Sequence, residues 1–283
     1  MLIQITNSCS MQCLHCLQDS VSSEAHMKGI ILNKALGLAS RLGCNLLSIS
    51  GGEFTEHPEF YSLIKAANSA YVLLHGPFWE GVLESNGLFL GDKEKTEKVL
   101  DLIETTKFKN LQITSVKGIY PKYDKVKYYF NKALSRARFR ELVREGRIYF
   151  VEQIERMDDL GRAKVSVKYH KLASEKPYLP TCINLALISR QVQNFRQAIG
   201  VLESQRKICS PFIDYEGNVH MGESRFCYKI GSVDDSIEDL YDNLVHSKLC
   251  GNCGATYENY KKLINKENPS ARDSLIKQLL ENE

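Results

Sequence analysis

Two periodicities alternate along the first two-thirds of the chain, and together they constrain its fold more than any other feature. Short apolar runs bounded by polar or glycine positions occur at Leu2–Thr6, Leu46–Ser50, Val82–Ser85, Leu111–Ser115 and Ile148–Gln153, with the length and edges of β-strands. Between them apolar residues recur about every 3.6 positions, the helical period. In Ile31–Leu42 these are Ile31, Leu32, Ala35, Leu36, Leu38, Ala39 and Leu42; Lys93–Thr105 and Asp124–Glu145 read similarly. Repeated β-then-α units predict an α/β fold, a parallel sheet covered by helices. In such folds chemistry gathers beyond the C-terminal ends of the strands. The pattern changes near Thr181, where a helical stretch, Ile183–Leu202, leads into a Gly-containing, Cys-bearing region. This predicts one domain over 1–180 and a second over 181–283, the latter ending in a polar helix at Asn268–Glu283. There are no internal repeats or low-complexity tracts.

The 283 residues, 43% hydrophobic and 25% charged, suffice for one large α/β domain with a small appendage, or for two domains. A net charge of +3 is too near neutral to make nucleic acid an expected partner. No apolar run approaches the roughly 20 residues that span a bilayer. The start, Met1-Leu2-Ile3-Gln4-Ile5-Thr6, lacks the basic and long apolar stretches of a signal peptide. No membrane partner is therefore expected, and the expected location is the cytoplasm. Ser135–Arg147 carries five arginines, which reads first as a solvated helix face and second as a docking surface for an acidic peptide or phosphate.

Nine cysteines in a chain of this kind point to metal or catalysis rather than disulfides. Three lie within the first 16 residues and four between Cys209 and Cys253; Cys44 and Cys182 stand apart. Cys9, Cys13 and Cys16 form a CxxxCxxC loop directly after the first strand. Three thiolates on one loop can each take a different iron of a cubane and leave a fourth iron open, the vacancy a catalytic metal keeps. Zinc remains an alternative and would need a fourth ligand, His15 or His26. The next strand ends in Gly51-Gly52-Glu53-Phe54, where two glycines permit unusual backbone angles or close approach to a ligand. Glu53 supplies an anionic acceptor for an ammonium group.

These two elements, in this order and spacing, resemble the signatures of the radical S-adenosylmethionine (SAM) superfamily: its CxxxCxxC loop after strand one and its GGEP motif, here with Phe54 for Pro. A further departure is His15, where the family carries an aromatic residue near the adenine. Ser85-Asn86-Gly87 is similar to the family's Thr-Asn-Gly, Ser115 to a hydroxyl that reaches the SAM ribose, and Gly161-Arg162-Ala163 to a segment of members with C-terminal cluster domains. The resemblance spans roughly Leu2 to Ala163. It implies a partial (β/α) barrel, a [4Fe–4S] cluster on Cys9, Cys13 and Cys16, and a SAM site including His15, Gly51, Gly52, Glu53, Ser85, Asn86, Ser115 and Arg162.

Cys209, Cys227, Cys250 and Cys253 satisfy either tetrahedral zinc or a fully ligated [4Fe–4S] cluster, since both accept four thiolates. Between the first two, Asp214 to Val219 reads as a hairpin with Asp214 and Gly217 as turn residues. The arrangement is similar to the twitch domain, the shortened relative of the SPASM domain, which implies a small C-terminal α+β iron–sulfur domain and a second cluster. Where SPASM members often have a Cys after the hairpin glycine, this chain has His220-Met221-Gly222. Cys182 reads as a substrate-side thiol or a buried small residue, and Cys44 as core.

The resemblance implies reductive SAM cleavage, hydrogen abstraction and net oxidation, with a flavodoxin- or ferredoxin-type electron donor. The expected substrate is a ribosomally made peptide, a reading weakened by the expectation that no peptide-recognition domain precedes the first strand. The alternatives are dehydrogenation of a small-molecule alcohol, redox-neutral radical chemistry, and a non-catalytic two-zinc binding module. Glu84, Tyr120, Glu152 and Tyr169 are all conceivable general bases, and none is singled out.

Overall fold

The computed structural model describes residues 1–13, 16–152, 211–222 and 224–245. Five strands alternate with helices: β1 (Leu2–Gln4), α1 (Gly29–Arg41), β2 (Leu46–Ser50), α2 (Phe60–His75), β3 (Glu80–Ser85), α3 (Lys93–Thr105), β4 (Asn110–Thr114), α4 (Tyr123–Ala133), α5 (Ala137–Arg144) and β5 (Ile148–Val151). Three later strands follow, β6 (Pro211–Ile213), β7 (Asn218–Met221) and β8 (Tyr228–Ser232), then α6 (Ile237–Val245). All eight strands join one open sheet, in the order β5-β4-β3-β2-β1-β6-β7-β8. Strands β1 to β5 pair in parallel, β6 pairs with β1 in parallel, and β7 and β8 add antiparallel. The α/β class expected from the alternation is what the sheet shows, and its open, unclosed order agrees with the partial barrel that the resemblance implies.

The two faces of this sheet have different chemistry, because side chains alternate along a strand. On one face Leu47, Ile49, Leu83, Leu111 and Ile113 are buried in a core shared with Leu36 and Ala39 of α1, Ile64 and Ala67 of α2, and Val99 and Ile103 of α3. The positions between them, Ser48, Ser50, Glu84, Gln112 and Thr114, are polar and only half-buried. A sheet with a greasy back and a polar inner face is the scaffold of a site rather than of a closed core.

The strand expectations hold to within a few residues, and Lys93–Thr105 is a helix as expected. Asp124–Glu145 is not one helix but two. Backbone at Arg136 is extended (φ −83°, ψ 125°), and Ser135 donates its hydroxyl to the Lys132 carbonyl at 2.7 Å, the local competition that ends helices at serine. The break lets Phe139 meet Phe130 edge-on, with ring centroids 5.5 Å apart. The arginine-rich run is partly tied down: Arg138 bonds Glu97 and grips both oxygens of Glu104, while Arg140 and Arg144 are exposed. Helix α2 lies outside the expected segments. Its Leu73 and Leu74 are exposed while Leu63, Ile64, Ala67 and Tyr71 are buried, so its apolar period is blurred. The hairpin at Asp214–Gly217 forms as expected, with Gly217 at φ +89° and its N–H on the Asp214 carbonyl. Among the described residues no helix is long and apolar enough to cross a membrane. Ile183–Leu202 and Asn268–Glu283 lie outside the described residues.

Candidate active site

Beyond the C-terminal end of β1 the chain enters a loop returning along residues 20–27, held by bridges Thr6 to His26 and Ser8 to Val21. Cys9 and Cys13 are buried and Cys16 half-buried. All three line one cavity of about 220 Å³, with Gln12, Leu17, Ser20, Ser50, Gly52, Glu84, Ser85, Asn86, Thr114 and Tyr120. The loop is wound tightly enough that Gln12, a non-glycine residue, sits at φ +54°, the left-handed region that side chains disfavour.

Two nitrogen donors reach the sulfurs: Asn86 Nδ2 lies 3.5 Å from Cys9 Sγ, and Ser20 N–H 3.2 Å from Cys16 Sγ. Burial pushes the Cys9 thiol up to about 12, and the nearby charges of Glu53 and Glu56 push the same way. Bound cations invert that balance and hold thiols deprotonated. The Tyr120 phenol is held well above the ordinary tyrosine range by burial and by the three thiols around it.

Gly51 and Gly52 act through close approach. Neither has a positive φ, so the unusual-angle half of the expectation does not apply. A Cβ on Gly52 would lie 2.5 Å from the Ser8 carbonyl and 2.8 Å from Cys9 Cβ; one on Gly51 would lie 2.8 Å from Thr6 Cγ2. The backbone then locks the two elements together, with Gly52 N–H on Thr6 O at 2.7 Å and Glu53 N–H on Ser8 O at 2.8 Å. Glu53 is fully buried and is not part of the cavity wall. Its carboxylate accepts from Ser85 Oγ (3.0 and 2.9 Å), Asn86 N–H (2.8 Å), and Thr55 Oγ1 and N–H (2.8 and 3.3 Å). Burial raises its pKa, and these bonds oppose the rise. In this geometry Glu53 holds the end of β3 in place, while Asn86 faces the thiol. Gly87, at φ +82°, lets the Asn86 side chain cap its own turn by accepting from Leu88 N–H at 2.9 Å.

Of the remaining expected site residues, Ser115 is fully buried off the cavity, its hydroxyl without a partner among the described residues, and Thr114 lines the wall one position earlier. Strand alternation explains the shift, since neighbouring side chains take opposite faces. His26 binds Thr6 Oγ1 at 2.8 Å, packs on His57, and is not in the cavity wall. Cys44 is fully buried in the core. Glu152 bonds Tyr123 and Lys127, and is likewise absent from that wall. His15, Arg162, Tyr169, Cys182, Cys209, Cys250 and Cys253 lie outside the described residues.

Three supports of the cysteine loop come from outside the sequence reading. Glu56 accepts from Ser8 Oγ (2.9 Å) and Ser10 N–H (2.8 Å), and Lys122 donates to the Ser10 carbonyl at 2.6 Å. The turn carrying Cys227 also reaches this loop. Ser224 Oγ donates to Leu17 O at 2.6 Å, Arg225 Nε to Gln18 O at 3.0 Å, and Arg225 N–H to Gln18 Oε1 at 3.0 Å. These contacts join residues some 207 positions apart, and no local pattern signals them. Cys227 is buried, and Gly222, at φ +149°, passes it so closely that a Cβ would lie 2.4 Å from its sulfur.

No family model matches the chain, and no curated protein matches it. It is similar to solved structures at low identity. One is SuiB of Streptococcus suis bound to precursor peptide SuiA, at 12% identity and a TM-score of 0.47, covering 88% of this chain and 66% of that one. Another is anSMEcpe with bound AdoMet and Kp18Cys peptide, at 14% identity and a TM-score of 0.45, covering 87% and 81%. A third is SuiB of the same organism bound to S-adenosylmethionine, at 13% identity and a TM-score of 0.43, covering 95% and 74%. The chain thus spans just under two thirds of the first of these.

Proposed function

We propose that this chain is a radical SAM enzyme whose cluster sits on Cys9, Cys13 and Cys16. The observation that carries this is one cavity, at the C-terminal ends of parallel strands, lined by all three thiols and by Gly52, Ser85 and Asn86. Three thiols lining one cavity suit one iron each, as in a cubane, and leave a fourth iron open to a cofactor. The donors from Asn86 and Ser20 onto sulfur suit thiolates ligating iron.

A bound [4Fe–4S] cluster would supply the electron that cleaves SAM to a 5′-deoxyadenosyl radical. The chain's own part is to hold and shield. Gly52 lets the backbone lie against the cysteine loop, the Glu53–Ser85–Asn86 network fixes the β3 end, and Glu56 and Lys122 brace the loop. Ser50, Glu84 and Thr114 offer polar groups to a substrate. His15 and Arg162 belong to the same proposal as further SAM contacts, and Thr114 on the cavity wall takes the hydroxyl role expected of Ser115.

The finer reading is net oxidation of a peptide substrate, peptide being the class bound in two of the structures named above. It includes a second cluster on Cys209, Cys227, Cys250 and Cys253 in a C-terminal region over 181–283, a flavodoxin- or ferredoxin-type donor, and action in the cytoplasm. The link from Ser224 and Arg225 to Leu17 and Gln18 supports a working relation between the two thiol sets.

Anaerobic purification, reconstitution, and iron and sulfide analysis test this. About eight irons per chain are expected from two cubanes, with deoxyadenosine formed on adding SAM and reductant, and a mass change in a precursor peptide. Bound zinc with no iron would overturn the enzymatic reading. Deoxyadenosine with no peptide change would overturn only the substrate.

A further inference from the structure

The opposite end of the sheet carries a second hollow, which the chemistry above does not use. It lies where β2, β3 and β4 begin, has a volume of about 540 Å³, and is walled by Leu46, Phe78, Trp79, Glu80, Lys107 and Lys109 among others. Its apolar part is exposed: Phe78 is 86% and Leu46 49% accessible. A concentration of bare apolar side chains at one place on a folded surface marks an interaction site.

Two polar observations point to the occupant's chemistry. Trp79 is 3% exposed, its ring packed edge-on against Tyr71 and Phe108, and its indole N–H has no acceptor among the described residues. A buried indole N–H ordinarily finds a partner. On the rim, Lys107 and Lys109 have no carboxylate partner among the described residues. Arg147, already paired with Glu145 at 3.8 Å, lies outside the wall with its Nε on the Lys109 carbonyl at 3.3 Å. Glu80 is the acidic member of the wall.

We propose that this groove docks an acidic peptide segment with bulky apolar side chains, part of another polypeptide. Its aliphatic or aromatic groups would cover Phe78 and Leu46, its carboxylates would meet Lys107 and Lys109, and a small shift of the buried Trp79 ring on docking would bring its indole N–H to a backbone carbonyl. A small carboxylate leaves Phe78 and Leu46 uncovered, and a nucleic acid meets Glu80 and an apolar wall. The inference stands whatever chemistry the thiol cavity performs.

Trp79 is the only tryptophan in the chain, so its emission reports on this groove. The reconstituted full chain is titrated with the synthetic peptide acetyl-Asp-Leu-Glu-Phe-Asp-Leu-amide. A saturable change in Trp79 emission is expected, weakened roughly tenfold by the double substitution Lys107→Glu and Lys109→Glu, since each rim charge contributes modestly. Phe78→Ser should weaken it similarly, and circular dichroism should show both variants folded. No saturable change overturns the proposal, as does an equal response to the peptide with lysine in place of each acid. A matching response to phenylacetate would make the groove a small-carboxylate site and overturn peptide docking.

Discussion

The two ends of the sheet differ in how they treat polar groups. At the C-terminal ends Glu53 is buried beneath several hydrogen bonds, and the thiols receive N–H donors of their own. At the N-terminal ends Trp79 buries a donor with no acceptor among the described residues, beside exposed apolar side chains. Gln4 Oε1 and Ser115 Oγ, near the first end, also lack partners among the described residues, but neither stands beside exposed apolar side chains of the cavity wall. A preorganised network suits an end that must hold reacting groups in one geometry. Unfilled valence with apolar exposure suits an end completed by a partner.

The largest effect that would test this contrast is Cys13→Ala. Iron at the N-terminal loop should be lost and deoxyadenosine formation should fall to background, while peptide titration of Trp79 stays unchanged. Loss of both activities together would break the separation of the two ends. Next is Gly52→Ala, which drives a Cβ to 2.5 Å from the Ser8 carbonyl. Backbone cannot yield as a side chain does, so a loss of about 3 kcal/mol in denaturant unfolding is expected. Gly37→Ala in α1, where no atom lies within 4 Å, should instead stabilise by up to about 1 kcal/mol.

Glu53→Gln replaces one acceptor oxygen with a donor facing Ser85 and Asn86, and should cost about 2 kcal/mol. The SAM concentration needed for half-maximal deoxyadenosine formation should rise with it. An unchanged value would show that the β3 end is set by packing alone.

The smallest effect concerns the hairpin. Burial pushes the Asp214 pKa up, but bonds from His220 (3.1 Å) and Asn218 (2.8 Å) bring it below its usual value. A depressed carboxylate pKa adds stability that is present above the unfolded value, near 4, and is lost as pH falls through the folded value. Asp214→Asn should therefore lower the melting temperature at pH 6, by an amount equivalent to about 1 kcal/mol. The gap from the parent should close as pH drops below about 4, as followed by calorimetry.

Most of the scaffold was legible because strand and helix periods are local properties. The hairpin was legible for the same reason: Asp214 and Gly217 dictate a turn within a few residues. Phe60–His75 was obscured because Leu73 and Leu74 lie off the face shared by Leu63, Ile64, Ala67 and Tyr71, and the break at Ser135–Arg136 because a single serine is a weak stop signal until Phe130 packs on Phe139. At the site, the thiol loop and the Gly-Gly-Glu turn were readable as motifs, but the sequence could not tell which way Glu53 points. Glu56, Lys122, Ser224 and Arg225 carry no motif, and their contacts cross between elements far apart in the chain.

By itself, then, the amino-acid order determined the element types, the parallel α/β class and the positions of the thiols, since each depends on spacing over a few residues. Only the tertiary structure decided that Cys9, Cys13 and Cys16 share a cavity with Asn86, that Gly52 serves contact rather than torsion, and that Thr114 rather than Ser115 lines the wall. It also revealed the groove around Trp79. Those outcomes depend on which surfaces meet when β2, β3 and β4 lie side by side, and such meetings are set by packing between segments with no sequence relation to one another.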